Sequence, residues 1–179
     1  NVLIAAVVKT NAYGHGLKEV VVALREKADY FIVATFEEAL LTREYAEKPV
    51  LCLSPLRGEE IVIAAFKNID VILSSEQDVN EIIYRTENMR IPIHVHMCVD
   101  TGMNRMGIKS EKTAYKLINR IKSYKNIKLT GMFSHYFDAE NKQRREMQAR
   151  QFDRFLYFAD MALESGENNS GERTDGKKS

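Results

Sequence analysis

The chain has 179 residues, 45% of them hydrophobic and 28% charged, and its 26 basic and 25 acidic side chains leave a formal net charge of +1. That length supports one core, with a single domain as the default. Near-neutrality removes the field that would draw it to nucleic acid or an acidic membrane surface, and no stretch approaches the ~20 apolar residues of a membrane span, so a small molecule is the expected partner.

The first element expected is a strand over Val2–Val8 that stops at Lys9, followed by Gly14, Gly16 and a helix from Leu17 with Val20, Val21 and Leu24 at helical spacing. Strand-length β-branched runs recur at Tyr30–Ala34, Pro49–Leu53, Asp70–Leu73, Ile91–Val99 and Lys128–Ser134. Thr35 with Glu38 is a capping-box pattern and Ser75 with Asp78 a weaker one, so helices start just after strands end. Ala114, Leu117, Ile118 and Ile121 mark another amphipathic helix, and Phe152, Phe155, Leu156, Ala159 and Leu163 mark a long one from about Lys142 to Glu164.

Strands alternating with helices over short connections mean an α/β fold with parallel strands, either a doubly wound sheet or a (β/α)8 barrel of the TIM type. About six strands make only part of such a barrel, which needs ~250 residues and two more strands. From Glu167 to Ser179 the chain has no large apolar side chain and is expected to be a disordered tail. The domain reading is thus 1–166 as a partial barrel and 167–179 as tail. The chain lacks an initiator Met and a signal-peptide pattern and opens inside a strand-like run, as a piece of a longer protein would. Cys52 and Cys98 both lie in apolar segments, which suits a reducing, cytoplasmic setting.

Ligands of parallel α/β folds sit at the C-terminal ends of strands, and Lys9 occupies that place. An amine partly desolvated there is left more often neutral and nucleophilic, the condition for a Schiff base; the alternative is a lysine reaching into water. Tyr13 can offer a hydroxyl to a phosphate, and the glycines permit turns ahead of a helix N-terminus that attracts anions. His94, His96 and Cys98 alternate onto one side of their strand, with Asp100 continuing the period into the barrel; the same spacing could also meet a zinc ion. His15 reads as a local turn or packing residue.

VVKTNAYGHG (7–16), VDTGMNRMG (99–107) and TGMFSHYFDAE (130–140) occur in this order, and together they resemble the alanine racemase family, from Asn1 to about Gly166. The first closely resembles that family's pyridoxal-phosphate lysine signature, with Thr10 where alanine is usual. The resemblance implies an isomerase of TIM-barrel fold that interconverts L- and D-alanine, the D-form serving peptidoglycan. It implies pyridoxal 5'-phosphate as cofactor and no metal. Lys9 would form the Schiff base and act as one acid/base group, Tyr13 would bind the phosphate, Arg105 would donate to the phenolic oxygen, His135 would sit beside the ring, and Leu53 would line the mouth. Solvated-loop and core-packing readings stand beside those of Arg105 and Leu53. Cys98 stands where many members carry a lysine modified to a carbamate that orients the arginine. The family's second base is a tyrosine of a separate domain in the partner subunit of a homodimer, and its last barrel strands supply an arginine at the pyridine nitrogen; neither is matched here. The chain alone is therefore expected to be inactive. The alternatives are an enzyme of this fold acting on another amino acid such as serine, and a non-catalytic cofactor-binding fragment.

Overall fold

The computed structural model describes residues 2–167. Six strands form one parallel sheet among them: β1 Ala5–Val7, β2 Tyr30–Val33, β3 Val50–Cys52, β4 Ile69–Leu73, β5 Ile93–Cys98 and β6 Ile127–Phe133. Each of the β-branched runs is a strand, shortened by a residue or more at most ends. β1 loses most, because Val2, Leu3 and Ile4 are exposed while only Ala5–Val7 pair with Tyr30–Ile32. The helices are α1 Leu17–Leu24, α2 Phe36–Tyr45, α3 Glu59–Phe66, α4 Glu76–Thr86, α5 Glu111–Lys122 and α6 Arg145–Glu167. Apart from Glu167, the last residue of α6, the polar tail lies outside the described residues.

Strand order decides between the two parallel architectures. The strands neighbour one another in chain order, β1-β2-β3-β4-β5-β6, with no reversal. Successive right-handed crossovers in one direction put the helices on one side, as in a barrel, whereas a doubly wound sheet reverses. Phe31, Val33, Val50, Cys52, Val71 and Val95 are fully buried on the helix side. Against them pack Val21 of α1, Ala39 of α2, Ile61 and Ala64 of α3, and Leu117 and Ile118 of α5, all without exposed surface.

The other face of the sheet is polar at its centre. Tyr30 of β2 donates its hydroxyl to Asp70 Oδ2 of β4, and His96 Nε2 of β5 donates to the same oxygen at 2.9 Å. His94 Nδ1 stands 3.6 Å from Asp70 Oδ1, an oxygen that is buried and accepts no hydrogen bond. Burial, then the hydrogen bond to Asp70 and its charge, keeps the Tyr30 phenol protonated far above its ordinary range. The two histidines thus converge on Asp70, whereas Cys98 Sγ meets the Met106 carbonyl at 3.9 Å. The zinc-binding alternative needs all three together, and they are not.

The His96 ring is admitted by a bulge. β5 and β6 pair as Val95↔Leu129 and then His96↔Gly131, so Thr130 is an extra residue on β6. A Cβ on Gly131 would stand 2.6 Å from His96 Cε1. Because Asp70 and Tyr30 fix that ring, it cannot swing aside cheaply. Gly131→Ala is therefore expected to lower stability by about 1–3 kcal/mol, the usual cost of overpacking, measured as a fall in the urea midpoint at unchanged slope.

Candidate functional site

Lys9 follows β1 and Val8, whose amide donates to Ile32 O at 2.8 Å and whose side chain is buried. The next four residues turn sharply. Thr10, Asn11, Ala12 and Tyr13 have φ of 56°, 53°, 51° and 55°, one turn of left-handed helix made without glycine. Such a turn costs roughly 1–2 kcal/mol per residue, so neighbouring bonds must hold it. Glu38 of α2 supplies one: its Oε1 accepts from Asn11 N at 3.1 Å while its Oε2 accepts from Ala34 N at 3.0 Å. Asn11 Oδ1 in turn accepts from Leu17 N at 2.8 Å, tying the turn to the start of α1. His15 Nδ1 donates to Ala12 O at 3.0 Å, the local turn role expected of it.

Glu38 illustrates how far the capping pattern reaches. Its amide does bond Thr35 Oγ1 at 3.3 Å, as a capping box requires, but its carboxylate serves the strand end and the Lys9 turn. Asp78 behaves alike. Its amide bonds Ser75 Oγ at 3.2 Å, while its carboxylate accepts from Ser74 and pairs with Arg57 at 2.6 Å.

Arg105 lies on the loop between β5 and α5. Asp100, expected to point into the barrel, instead folds this loop: its Oδ1 accepts from Gly102 N at 2.9 Å and from Asn104 N at 3.1 Å. The loop closes where Asp100 N donates to Ile108 O at 3.0 Å and Ile108 N to Cys98 O at 2.9 Å. Gly107 permits the closure, since at φ 110° a Cβ there would meet the backbone of Asp100 at 2.9 Å. Arg105, Cys98 and His135 then line one small cavity. Desolvation, then the neighbouring charge of Asp100, pushes the Cys98 thiol up to about 11, with Arg105 opposing. At neutral pH this residue is therefore a neutral thiol.

His135 follows β6, and its imidazole is held below its ordinary value by desolvation first, then by the positive charges of Arg105 and Lys9. The charges of Arg105 and Lys9 both reach His135, and Lys9 is half-buried. Neither Lys9 nor Arg105 forms a side-chain hydrogen bond or ion pair among the described residues. Tyr13 is 60% exposed on the turn after Lys9. Leu53, half-buried just beyond β3, is anchored by its amide to Val33 O at 2.9 Å. Both lie at the same end of the sheet as the basic cluster. Sequence reasoning missed Glu38 as support for the Lys9 turn, and it missed Gln151 of α6, 3% exposed, whose side chain bonds Thr101 and the backbone of His135 and Phe137.

Comparison with known proteins places this geometry. Residues 1–172 match the family described as alanine racemase, N-terminal domain. Alanine racemase of Methanococcus maripaludis is 35% identical over 165 residues, 91% of this chain and 44% of that protein. Alanine racemase 1 of Bacillus subtilis is 34% identical over 157 residues, 87% of this chain and 40% of its own. The solved alanine racemase of Clostridium difficile superposes with a TM-score of 0.84 at 28% identity, over 92% of this chain and 46% of that one. The chain thus spans less than half the length of the relatives it matches. With its strand order and its motifs in place over that span, the chain belongs to the alanine racemase family.

Proposed function

We propose that this chain binds pyridoxal 5'-phosphate at the C-terminal end of its strands and serves the interconversion of L- and D-alanine. The observation that carries the reading is geometric: Lys9 and Arg105 both lie beyond strand ends, Arg105 lines one small cavity with His135, and neither cation is ion-paired with a carboxylate among the described residues. Cations at a strand mouth left without an ion pair suit an anionic ligand. Pyridoxal phosphate offers an aldehyde to an amine, a phenolic oxygen to a guanidinium and a phosphate to hydroxyl and backbone donors. When bound, it supplies the electron sink that stabilises a carbanion at the substrate's α-carbon.

The chain's own residues divide the remaining work. Lys9 would hold the cofactor through its aldehyde and would carry a proton at Nζ for one face of the substrate. Arg105 would donate to the phenolic oxygen through its planar fork. Tyr13 would donate its hydroxyl to the phosphate. His135, disfavoured as a cation by desolvation first and then by its two basic neighbours, would present a neutral ring. Leu53 keeps water from the mouth. Racemisation needs a proton-transfer group on each face, and these residues supply one. The second group is expected from a separate domain of the partner subunit in the homodimer of full-length relatives, less than half of whose length this chain spans, in a reducing cytoplasm where Cys52 and Cys98 stay free.

Incubation with pyridoxal phosphate followed by borohydride is expected to label Lys9, located by mass spectrometry, and Lys9→Arg to remove the label. Labelling elsewhere, or none in folded protein, would overturn the assignment. Assayed alone, the chain is expected to leave L-alanine unconverted by chiral chromatography; sustained D-alanine formation would refute the division of bases. The depressed His135 also sets a pH dependence. As pH falls through the ordinary imidazole value of 6.5, the unfolded chain takes up the proton first, so stability declines until the folded imidazole protonates too. Arg105→Met is expected to raise the His135 titration and flatten that decline, read by histidine NMR and urea unfolding between about pH 5 and pH 7.

A further inference from the structure

The three proposed groups sit on three separate segments: Lys9 after β1, Arg105 on the loop after β5, and His135 after β6. What fixes the second against the third is visible in α6. Gln151 is 3% exposed, and its amide is used in full: Nε2 donates to Thr101 Oγ1 at 3.4 Å and to His135 O at 3.3 Å, while Oε1 accepts from Phe137 N at 3.1 Å. Thr101 begins the Arg105 loop, and its hydroxyl also pairs with Ser134 Oγ at 2.8 Å, beside His135. Gly102 packs over the Gln151 side chain, where a Cβ would meet its Cγ at 3.7 Å. At the far end of the loop, Arg154, three residues on in α6, donates to Lys109 O at 2.6 Å. One helix therefore grips both ends of the Arg105 loop and the end of β6. At the Gln151 end the loop and the end of β6 are joined directly.

We propose that Gln151 is a positioning residue that sets the separation of Arg105 from His135. Gln151 acts through the backbone of His135 and through Thr101. A buried amide with one acceptor and two donor hydrogens is suited to this, because it can bridge a hydroxyl, a carbonyl and an N–H in a single plane. Removing it leaves the Phe137 N–H and the His135 carbonyl without their buried partner, which favours separation of the segments so that water can reach them. The catalytic meaning of this device rests on the cofactor reading above, but its geometry does not.

The test is therefore made on the 179-residue chain without cofactor, by following its four histidines by NMR as a function of pH. In Gln151→Met, which keeps the bulk and loses the amide, the His135 midpoint is expected to rise towards the ordinary imidazole value as Arg105 draws away. His94 and His96, held on Asp70, are expected to keep their wild-type signals and so report an intact fold. Adding Arg105→Met to Gln151→Met is expected to produce a smaller further rise than Arg105→Met gives alone. A His135 midpoint that stays put in folded Gln151→Met, or shifts that simply add in the double variant, would overturn the proposal. Should Gln151→Met fail to fold, Thr101→Val removes the loop's side of the same bond and is read identically. Failure to label Lys9 would remove the cofactor reading and leave this result standing.

Discussion

The mouth of this sheet depends on a backbone conformation that no residue in it favours. Lys9 must leave β1 and the chain must reverse within a few residues to enter α1, and it does so with four successive non-glycine residues in the left-handed region. The local cost is several times that of an ordinary turn. The bonds that offset it come from elsewhere: a carboxylate from α2, an asparagine side chain that reaches α1, and the buried Val8 that holds the strand end. The backbone that follows this amine is thus fixed by partners outside its own strand.

Beneath the mouth, the inner face of the sheet follows a different rule. A buried carboxylate is tolerable only if hydrogen bonds replace its hydration, and Asp70 gathers Tyr30 and His96 for that purpose. The layer joins β2, β4 and β5 across the inner face, which helps fix the register of strands whose outer faces carry only apolar side chains. Cys98 stands two residues above His96 on β5, so the polar floor and the basic rim are continuous along one strand. The neutral thiol there leaves Arg105 without a carboxylate or carbamate on that side, and its orientation falls to the loop that Asp100 folds and α6 grips.

Much of this was legible in the chain itself. Strands such as Tyr30–Val33 and Ile69–Leu73 announce themselves by β-branched runs, and α1, α5 and α6 by apolar spacing, because burial on the helix side admits little else. The family motifs pointed to Lys9, Arg105 and His135, and the charges of the first two reach the third. What stayed hidden depends on partners distant in sequence. Nothing in Thr10–Tyr13 signals a left-handed turn; Glu38 reads as a cap until Asn11 is beside it; and Gln151 is one polar residue among many on a long helix until its burial is known. Asp70 gave a faint sign, a lone acid in an otherwise apolar strand.

The bulge on β6 has an effect that reaches beyond the space it makes for His96. Before it, Lys128 stands opposite His94; after it, Gly131 stands opposite His96 and Phe133 opposite Cys98. The inserted Thr130 changes the strand from even to odd parity, and His135 inherits the odd positions. Were the ladder uninterrupted, Ser134 would take the inward station and the imidazole would be turned towards the helices. One supernumerary residue, four to five positions upstream, thus selects which side chain the strand delivers to the rim.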